Sequence, residues 1–228
     1  MSPAGVPTLK LERDLLAGGA PVVLACDEVG RGALAGPVAV GMVVIDASVK
    51  RMPAGLRDSK LLPEPKRELL APRASAWVLA SAVGEATAEE IDRHGIMACL
   101  GMAGARAFAA LGIDSGLVSG APLLLDGNHD WLSARIEHRA RVITRIKADR
   151  DCASVSAASV IAKVHRDRAM RRAHEATPLY HWDENKGYSS RAHFAALAEH
   201  GPSDLHRRTW LHDRAPEPAP SLFDLEVG

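Results

Sequence analysis

Two adjacent carboxylates, Asp27 and Glu28, follow a short apolar run and precede an arginine that stands between two glycines. The run from residue 22 to residue 26 is short, apolar and β-branched, which is typical of a buried strand. A carboxylate near the end of such a strand must be paired, hydrogen-bonded or bound to a metal, because an isolated buried charge is costly. Two interpretations stay open on these residues alone: a water-facing acidic pair beside a Gly-rich turn, or part of a metal or anion site.

Further acids follow two other apolar runs. Asp126 comes directly after the run 123–125, and Asp149 and Asp151 follow a strand predicted at 142–146. Ligand sites in open α/β sheets gather at the carboxyl ends of strands. We therefore expect these acids to lie near the first pair.

Several converging carboxylates with few histidines favour a hard divalent cation, since Mg²⁺ and Mn²⁺ prefer oxygen ligands. Two such ions roughly 4 Å apart activate a water and stabilise the leaving oxygen in phosphodiester cleavage. Zinc is less favoured, because His94, His129 and His165 show no H-x-x-x-H or Cys-paired spacing. A serine hydrolase is not supported either, since the chain has no G-x-S-x-G sequence.

The elements that must position these acids follow from apolar periodicity and turn residues. We predict strands at 22–26, 38–45, 77–83, 123–125 and 142–146, and helices at 9–16, 66–70, 87–95, 97–111, 154–175 and 190–200. The first two strands are close enough in sequence to pair like a hairpin. Thr87 and Glu90 fit a capping box at a helix start.

The composition bounds the class of protein. The chain has 228 residues, is 47% hydrophobic and 25% charged, and carries 28 basic and 28 acidic residues. These values are ordinary for a globular protein, and the zero net charge means that binding to nucleic acid must depend on local patches. No apolar run is long enough to span a bilayer, and the N-terminus lacks a signal-peptide pattern. The three cysteines, Cys26, Cys99 and Cys152, show no metal-ligand spacing and suit a reducing cytoplasm.

A series of short motifs occurs in a fixed order. The motifs are Asp27-Glu28-Val29-Gly30-Arg31-Gly32, Asp58-Ser59-Lys60, Asp126-Gly127-Asn128, Lys147-Ala148-Asp149, Ser156-Ala157-Ala158-Ser159, Ala162-Lys163-Val164, Lys186-Gly187-Tyr188 and His206-Arg207-Arg208. This ordered set resembles bacterial ribonuclease HII, the type 2 ribonuclease H family, over residues 22–210. The resemblance implies an α/β ribonuclease H-like fold, with a mixed central sheet of about five strands flanked by helices and a helical C-terminal part. We expect a catalytic domain at 21–213, an N-terminal extension at 1–20 and a disordered tail at 214–228.

The resemblance implies an endonuclease that hydrolyses the RNA strand of RNA–DNA hybrids and nicks duplex DNA at embedded ribonucleotides. The products carry 5′-phosphate and 3′-hydroxyl ends, and the cellular role is ribonucleotide removal during replication and repair. Two-metal catalysis with Mn²⁺ or Mg²⁺ is implied, with no choice between the two ions, and four acids hold them: Asp27, Glu28, Asp126 and Asp149. Asp149 is preferred to Asp151 because it follows Lys147 by one small residue and precedes Ser156 by seven positions, as in the family pattern.

The resemblance also implies the substrate contacts, at Gly30, Arg31, Gly32, Ser59, Lys60, Lys163, Arg166 and Tyr188. The backbone of the Gly-Arg-Gly segment contacts the 2′-hydroxyl, which is the group that marks RNA at a given site. Tyr188 contacts the same ribose and stacks beneath the next deoxyribose. Ser59, Lys60, Lys163 and Arg166 are candidates for phosphate contacts, which position a duplex without reading its sequence. Lys60 and Lys163 could instead pair with nearby acids.

Two other classes of function stay open: a non-catalytic hybrid-binding module on the same fold, and a junction resolvase. A non-catalytic binding module would lack one of the four acids, and none is missing. The Gly-Arg-Gly and Lys-Gly-Tyr motifs, which suggest ribose recognition, argue against a resolvase. The acidic segment 182–185 departs from what is expected beside a DNA-binding loop. The tail around Leu222 and Phe223 resembles short sliding-clamp-binding motifs but lacks their leading glutamine, so clamp binding and a plain tail both remain. We expect a cytoplasmic monomer with a nucleic-acid partner and no membrane.

Overall fold

The computed structural model describes residues 6–137 and 139–211. At its centre is a five-stranded sheet of order β3-β2-β1-β4-β5. The strands are β1 Val23–Val29, β2 Val38–Ile45, β3 Ala80–Ala86, β4 Pro122–Asp126 and β5 Arg141–Arg145. β2 pairs antiparallel with both β1 and β3, whereas β4 pairs parallel with both β1 and β5. The sheet is therefore mixed, as predicted, and the predicted hairpin-like pairing of the first two strands is confirmed.

Helices cover both faces of the sheet. They are α1 Lys10–Ala17, α2 Glu64–Trp77, α3 Ala88–His94, α4 Ile96–Ala110, α5 Ser115–Val118, α6 Ala148–Asp151, α7 Ala153–Ala176, α8 Trp182–Asn185 and α9 Arg191–His200. Helix α4 packs on β2 and β3, and α7 packs on β1 and β2, with α2 lying against α7. In residues 6–137 and 139–211, none of these helices is long and apolar enough to cross a membrane.

Strand β1 separates two hydrophobic cores. Because successive side chains of a strand point to opposite faces, Leu24 and Cys26 pack in the core on the α4 side, while Val23 and Ala25 pack in the core on the α7 side. A strand buried on both faces has a continuous apolar sequence. This is why the apolar runs of β1 and β2 predicted buried strands correctly.

The strand predicted at 77–83 is placed three residues too early, since β3 covers Ala80–Ala86 and Trp77 is the last residue of α2. The apolar run spans a helix end and a connecting turn, and periodicity alone does not separate them. The helix predicted at 66–70 is longer at both ends and continues through Pro72. Its residues Leu70 and Ala74 are buried in the α7-side core, and this packing favours the longer helix.

Strand β1 extends to Val29, so Asp27 and Glu28 belong to the strand and do not follow it. The capping box at Thr87 and Glu90 is present as predicted, and Gly95 ends that helix. Helix α1 packs on the α7-side core. The domain limits stay a prediction, and the predicted disordered tail at 214–228 lies outside the described residues.

Candidate active site

Asp27 and Glu28 lie near the carboxyl end of the central strand. Asp27 is buried, with 4% of its surface exposed, and its Oδ1 accepts a hydrogen bond of 2.9 Å from the Glu28 amide. The Ser159 side chain of α7 also lies beside the Asp27 carboxylate and lowers its pKa, against the larger effect of burial. Glu28 is less buried, and its Oε1 lies 3.6 Å from the Arg31 guanidinium. The two acids are therefore held by different parts of the structure.

Asp126 and Asp149 approach the same edge of the sheet. β4 runs parallel to β1, so its last residue, Asp126, lies at the edge where β1 ends. The backbone amide of Asp149 points at Oδ1 of Asp126 over 3.4 Å. Asp149 sits in the short helix α6, and its carbonyl accepts a 2.6 Å hydrogen bond from the Ser156 hydroxyl. The structure thus places Asp149 beside Asp126.

Burial, and in second place mutual repulsion, disfavours the ionised form of these acids. Burial, with the nearby Glu28 and Asp126 charges, raises the pKa of Asp27 well above its ordinary value. Burial and the Asp126 carboxylate raise the pKa of Asp149 to about 6. Burial likewise raises the pKa of Glu28, and the Arg31 charge opposes the rise. Positive charge brought to this edge would favour the ionised form of all these carboxylates.

The donor atoms fit a hard divalent cation. In the part of the chain that the structure describes, no three His, Cys, Asp or Glu side chains form a set ready to hold an ion by themselves. Mg²⁺ commonly binds through one or two carboxylates and completes its shell with waters and substrate phosphates. Within the same residues, the buried Oε2 of Glu28 has no hydrogen-bond partner, which leaves a ligand atom free. Oxygen-only donors suit Mg²⁺ or Mn²⁺.

Asp151 and Asp58 are placed differently from the four predicted acids. Asp151 is on the surface, where its Oδ2 lies 2.8 Å from a guanidinium nitrogen of Arg145. Asp58 is fully buried, and its carboxylate accepts from the Lys60 amide at 2.9 Å and from Arg150 at 3.3 Å. Asp58 therefore fixes the loop that carries Ser59 and Lys60, a role that sequence reasoning did not identify.

The predicted ribose-recognition segments meet at one hydrogen bond. The backbone amide of Gly30 donates to the Tyr188 hydroxyl over 3.0 Å. Gly30 has a φ of +84°, and a Cβ there would lie 2.1 Å from Nε of Arg166. Only glycine fits this position, because it tolerates positive φ and has no Cβ to collide with the arginine. The Gly-Arg-Gly segment and Tyr188 therefore lie together beside Glu28.

The position of Arg166 differs from the predicted phosphate contact. Arg166 was expected to bind phosphate, but it is fully buried, and its guanidinium donates to the carbonyls of Pro37, Lys186 and Ala35. The arginine lies under Tyr188, with its guanidinium carbon 5.3 Å from the ring centroid. It therefore holds the loops that carry the recognition segments, and each of its three nitrogens donates to a backbone carbonyl.

Arg207 is a second buried arginine, and sequence reasoning gave it no role. Its guanidinium donates to the carbonyls of Gly30 at 2.6 Å, Arg31 at 2.9 Å and Gly36 at 3.1 Å. Burial, together with the nearby Arg166 charge, lowers the pKa of Arg207 to about 9. The only signal in the sequence was its place in the motif His206-Arg207-Arg208, which does not itself indicate burial.

Lys60, Lys163 and Ser59 have different partners in the structure. The Lys60 ammonium lies 3.9 Å from Oδ2 of Asp149 and is largely exposed. Lys163 pairs with Asp167 one helical turn later, as the alternative interpretation allowed. The Ser59 hydroxyl accepts a 2.9 Å hydrogen bond from Ser159. Lys60 is thus close to the acids and accessible, whereas Lys163 already has a carboxylate partner.

Comparisons with known proteins show which family the chain is similar to. A family described as Ribonuclease HII matches residues 24–212. Proteins named Ribonuclease HII are similar to the chain: that of Streptomyces avermitilis is 44% identical over 90% of this chain and 84% of its own length, and that of Nitrosomonas europaea is 43% identical over 83% and 82%.

Two solved structures share the fold. The ribonuclease H2 of Pyrococcus horikoshii is 29% identical, with a TM-score of 0.67, over 83% of this chain and 93% of that one. The ribonuclease HII in the PCNA:RNase HII complex from Archaeoglobus fulgidus is 26% identical, with a TM-score of 0.70, over 89% and 99%. These similarities confirm the predicted ribonuclease H-like fold.

Proposed function

This chain belongs to the ribonuclease HII family and is a ribonuclease H endonuclease, and we propose that it also nicks duplex DNA at single embedded ribonucleotides. The observation that carries the proposal is the Gly30–Tyr188 hydrogen bond two residues from Glu28. It supports a site in which the groups that sense one ribose stand beside the acids that promote cleavage. A 2′-hydroxyl is what distinguishes RNA from DNA at one position.

We propose that Asp27, Glu28, Asp126 and Asp149 hold two Mg²⁺ or Mn²⁺ ions during catalysis. When bound, such ions lower the pKa of an attacking water and stabilise the leaving oxygen. The carboxylates supply negative charge at an edge where burial, together with their mutual repulsion, raises the pKa values of Asp27 and Asp149. In the hydrolysis, a water oxygen bonds to phosphorus as the bond from phosphorus to the 3′ oxygen breaks. The 3′ oxygen takes up a proton, which leaves 5′-phosphate and 3′-hydroxyl ends.

The remaining side chains bind and orient the duplex in this proposal. The exposed Lys60 ammonium, 3.9 Å from Asp149, is placed to meet a phosphate near the acids. Tyr188 presents its ring beside the Gly-Arg-Gly segment, where its hydroxyl already accepts from Gly30 and can still donate its own proton. Ser59 lies on the same loop as Lys60, which the buried Asp58 carboxylate holds in place.

The cellular role that we propose is the removal of ribonucleotides from DNA. We also propose that the chain binds a sliding clamp, and the relative from Archaeoglobus fulgidus, solved in the PCNA:RNase HII complex, supports this proposal. The predicted contact at Leu222 and Phe223 lies outside the described residues. It stays a prediction.

A nicking assay tests the proposed activity. The full-length protein is incubated with a duplex that contains one ribonucleotide, with the same duplex made entirely of DNA, and with a four-way DNA junction, each with Mg²⁺, Mn²⁺ or EDTA. We expect one nick in the ribonucleotide strand with either metal and no cleavage with EDTA. Binding without nicking in both metals would favour a hybrid-binding module, and specific cleavage of the junction would favour a resolvase.

A further inference from the structure

Glu12 of α1 is a fully buried carboxylate that does not belong to the acid cluster. Its Oε1 accepts two hydrogen bonds from Ser154, one from the backbone amide at 2.9 Å and one from the hydroxyl at 2.7 Å. Ser154 lies in the first turn of the 24-residue helix α7, whose N-cap residue, Cys152, provides no side-chain cap. Glu12 therefore caps this helix from a position 142 residues earlier in the chain.

Backbone contacts fix the same junction. The amide of Thr8 donates to the Asp151 carbonyl at 2.9 Å, and the Ala153 amide donates to the Thr8 carbonyl at 3.0 Å. The segment 8–12 thus binds the chain on both sides of Cys152, where α6 ends and α7 begins. A carboxylate at a helix N-terminus is favourable, because it meets unpaired amides and the positive end of the helix dipole.

The junction also sets the position of Asp149. Helix α6 carries Asp149, and the Cys152 amide closes that helix by donating to the Ala148 carbonyl at 2.8 Å. From the other side, the Ser156 hydroxyl of α7 donates to the Asp149 carbonyl at 2.6 Å. A shift in the first turn of α7 would therefore move Asp149 relative to Asp126.

Burying the Glu12 carboxylate costs free energy, which argues that the residue has a structural role at this position. Burial raises the pKa of its carboxyl, against the two hydrogen bonds from Ser154. In residues 6–137 and 139–211, its buried Oε2 has no hydrogen-bond partner. An alanine at this position would remove an incompletely paired buried carboxylate, but it would also leave the first turn of α7 without its cap.

We propose that Glu12 is a positioning residue that holds the α6–α7 junction and thereby sets the affinity of the acid cluster for its divalent cations. The proposal rests on the function proposed above, since it takes Asp149 to be one of the cation ligands. Removing a residue that orients metal ligands without binding the metal itself typically weakens metal affinity by about 10- to 100-fold.

Calorimetric titration of the metal-free protein with Mn²⁺ tests the proposal without measuring activity. We expect Glu12→Ala to raise the Kd for Mn²⁺ by about tenfold. Thr87→Ala is the matched control, because Thr87 caps α3 by accepting from the Glu90 amide at 3.1 Å. That variant also loses a helix cap, and we expect it to bind Mn²⁺ like the wild type.

A second variant keeps the test open if Glu12→Ala does not fold. Ser154→Ala keeps the amide that donates to Glu12 and loses the hydroxyl, so we expect a Kd for Mn²⁺ above that of the wild type and below that of Glu12→Ala. Equal Mn²⁺ affinity in the folded Glu12 or Ser154 variant and in Thr87→Ala would overturn the positioning role. Absence of Mn²⁺ binding by the wild type would instead contradict the proposed metal site.

Discussion

The Gly30 amide and the Tyr188 hydroxyl form a 3.0 Å hydrogen bond between two segments that are 158 residues apart in the chain. The bond fixes the tyrosine ring relative to β1, which carries Asp27 and Glu28. Arg166 lies against the ring, and its guanidinium also holds the carbonyl of Lys186 at 2.8 Å. The group expected to sense ribose is therefore held by the residue that directly follows the strand with two of the acids.

Replacing Tyr188 with phenylalanine removes this hydrogen bond and keeps the ring. We expect kcat/KM on a duplex with one ribonucleotide to fall about tenfold, which corresponds to roughly 1.4 kcal/mol. Tyr180→Phe is the control, because the Tyr180 hydroxyl donates at 2.8 Å to the Gly201 carbonyl, away from the acids. A steady-state assay that finds equal kcat/KM in the two variants would contradict the role of Tyr188.

An alanine at Gly30 would meet both a strained backbone and the Arg166 side chain. We expect Gly30→Ala to lower the free energy of unfolding by about 3 kcal/mol or more, measured by urea denaturation. Gly19→Ala separates the two effects, since Gly19 also has a positive φ but open space around its Cβ position. It should cost only about 1 kcal/mol. Equal losses in the two variants would show that the contact with Arg166 does not matter.

Adjacent arginines provide a matched pair. Arg207 is buried against loop carbonyls, whereas the Arg208 side chain is 60% exposed. Lysine cannot reproduce the planar set of donors, so we expect Arg207→Lys to lose about 2–4 kcal/mol of stability. Arg208→Lys should change stability by less than about 0.5 kcal/mol. Similar urea midpoints for the two variants would refute the structural role of Arg207.

The buried pair His193 and His206 makes stability depend on pH. Their Nε2 atoms lie 2.9 Å apart, and the His206 Nδ1 accepts from the Ser203 amide at 3.0 Å. Burial and the neighbouring His193 lower the pKa of His206 to about 4. The unfolded chain takes up a proton near pH 6.5, before the folded protein does, so stability is complete above that pH and falls toward pH 4.

The expected loss through His206 is at most about 3 kcal/mol between these limits. Buried carboxylates with raised pKa values change stability in the opposite direction, so the wild type must be compared with a variant. His206→Gln removes the titrating group and keeps one donor and one acceptor. We expect urea unfolding of this variant to lose less stability than the wild type on acidification. The same pH dependence in both proteins would exclude His206 as the cause.

Some of the fold could be predicted because local sequence determines it. The apolar runs of β1 and β4 mark strands buried in the sheet, and the Thr87–Glu90 capping box marks a helix start. The acids that follow these runs lie near one sheet edge because β1 and β4 are parallel. The end of α2 at Trp77 could not be predicted, since an apolar run looks the same in a helix end and in a strand.

The buried arginines show what sequence patterns miss. Arginine is usually exposed, so Arg166 on a basic helix indicated a surface contact. Its burial depends on the carbonyls of Ala35 and Pro37, which lie about 130 residues away in the chain. The same holds for Glu12, whose partner Ser154 lies 142 residues later in the chain. Such roles follow from long-range packing and have no local signature.

The most direct test of the site compares Asp149 with Asp151, two acids in the same short helix. Asp149 is buried beside Asp126, whereas Asp151 pairs with Arg145 on the surface. Cleavage of a duplex with one ribonucleotide is measured at saturating Mg²⁺ and at saturating Mn²⁺. We expect Asp149→Asn to lose at least about 100-fold in kcat and Asp151→Asn to stay within about threefold of the wild type. Full activity of Asp149→Asn, or an equal loss in Asp151→Asn, would contradict the proposed active site.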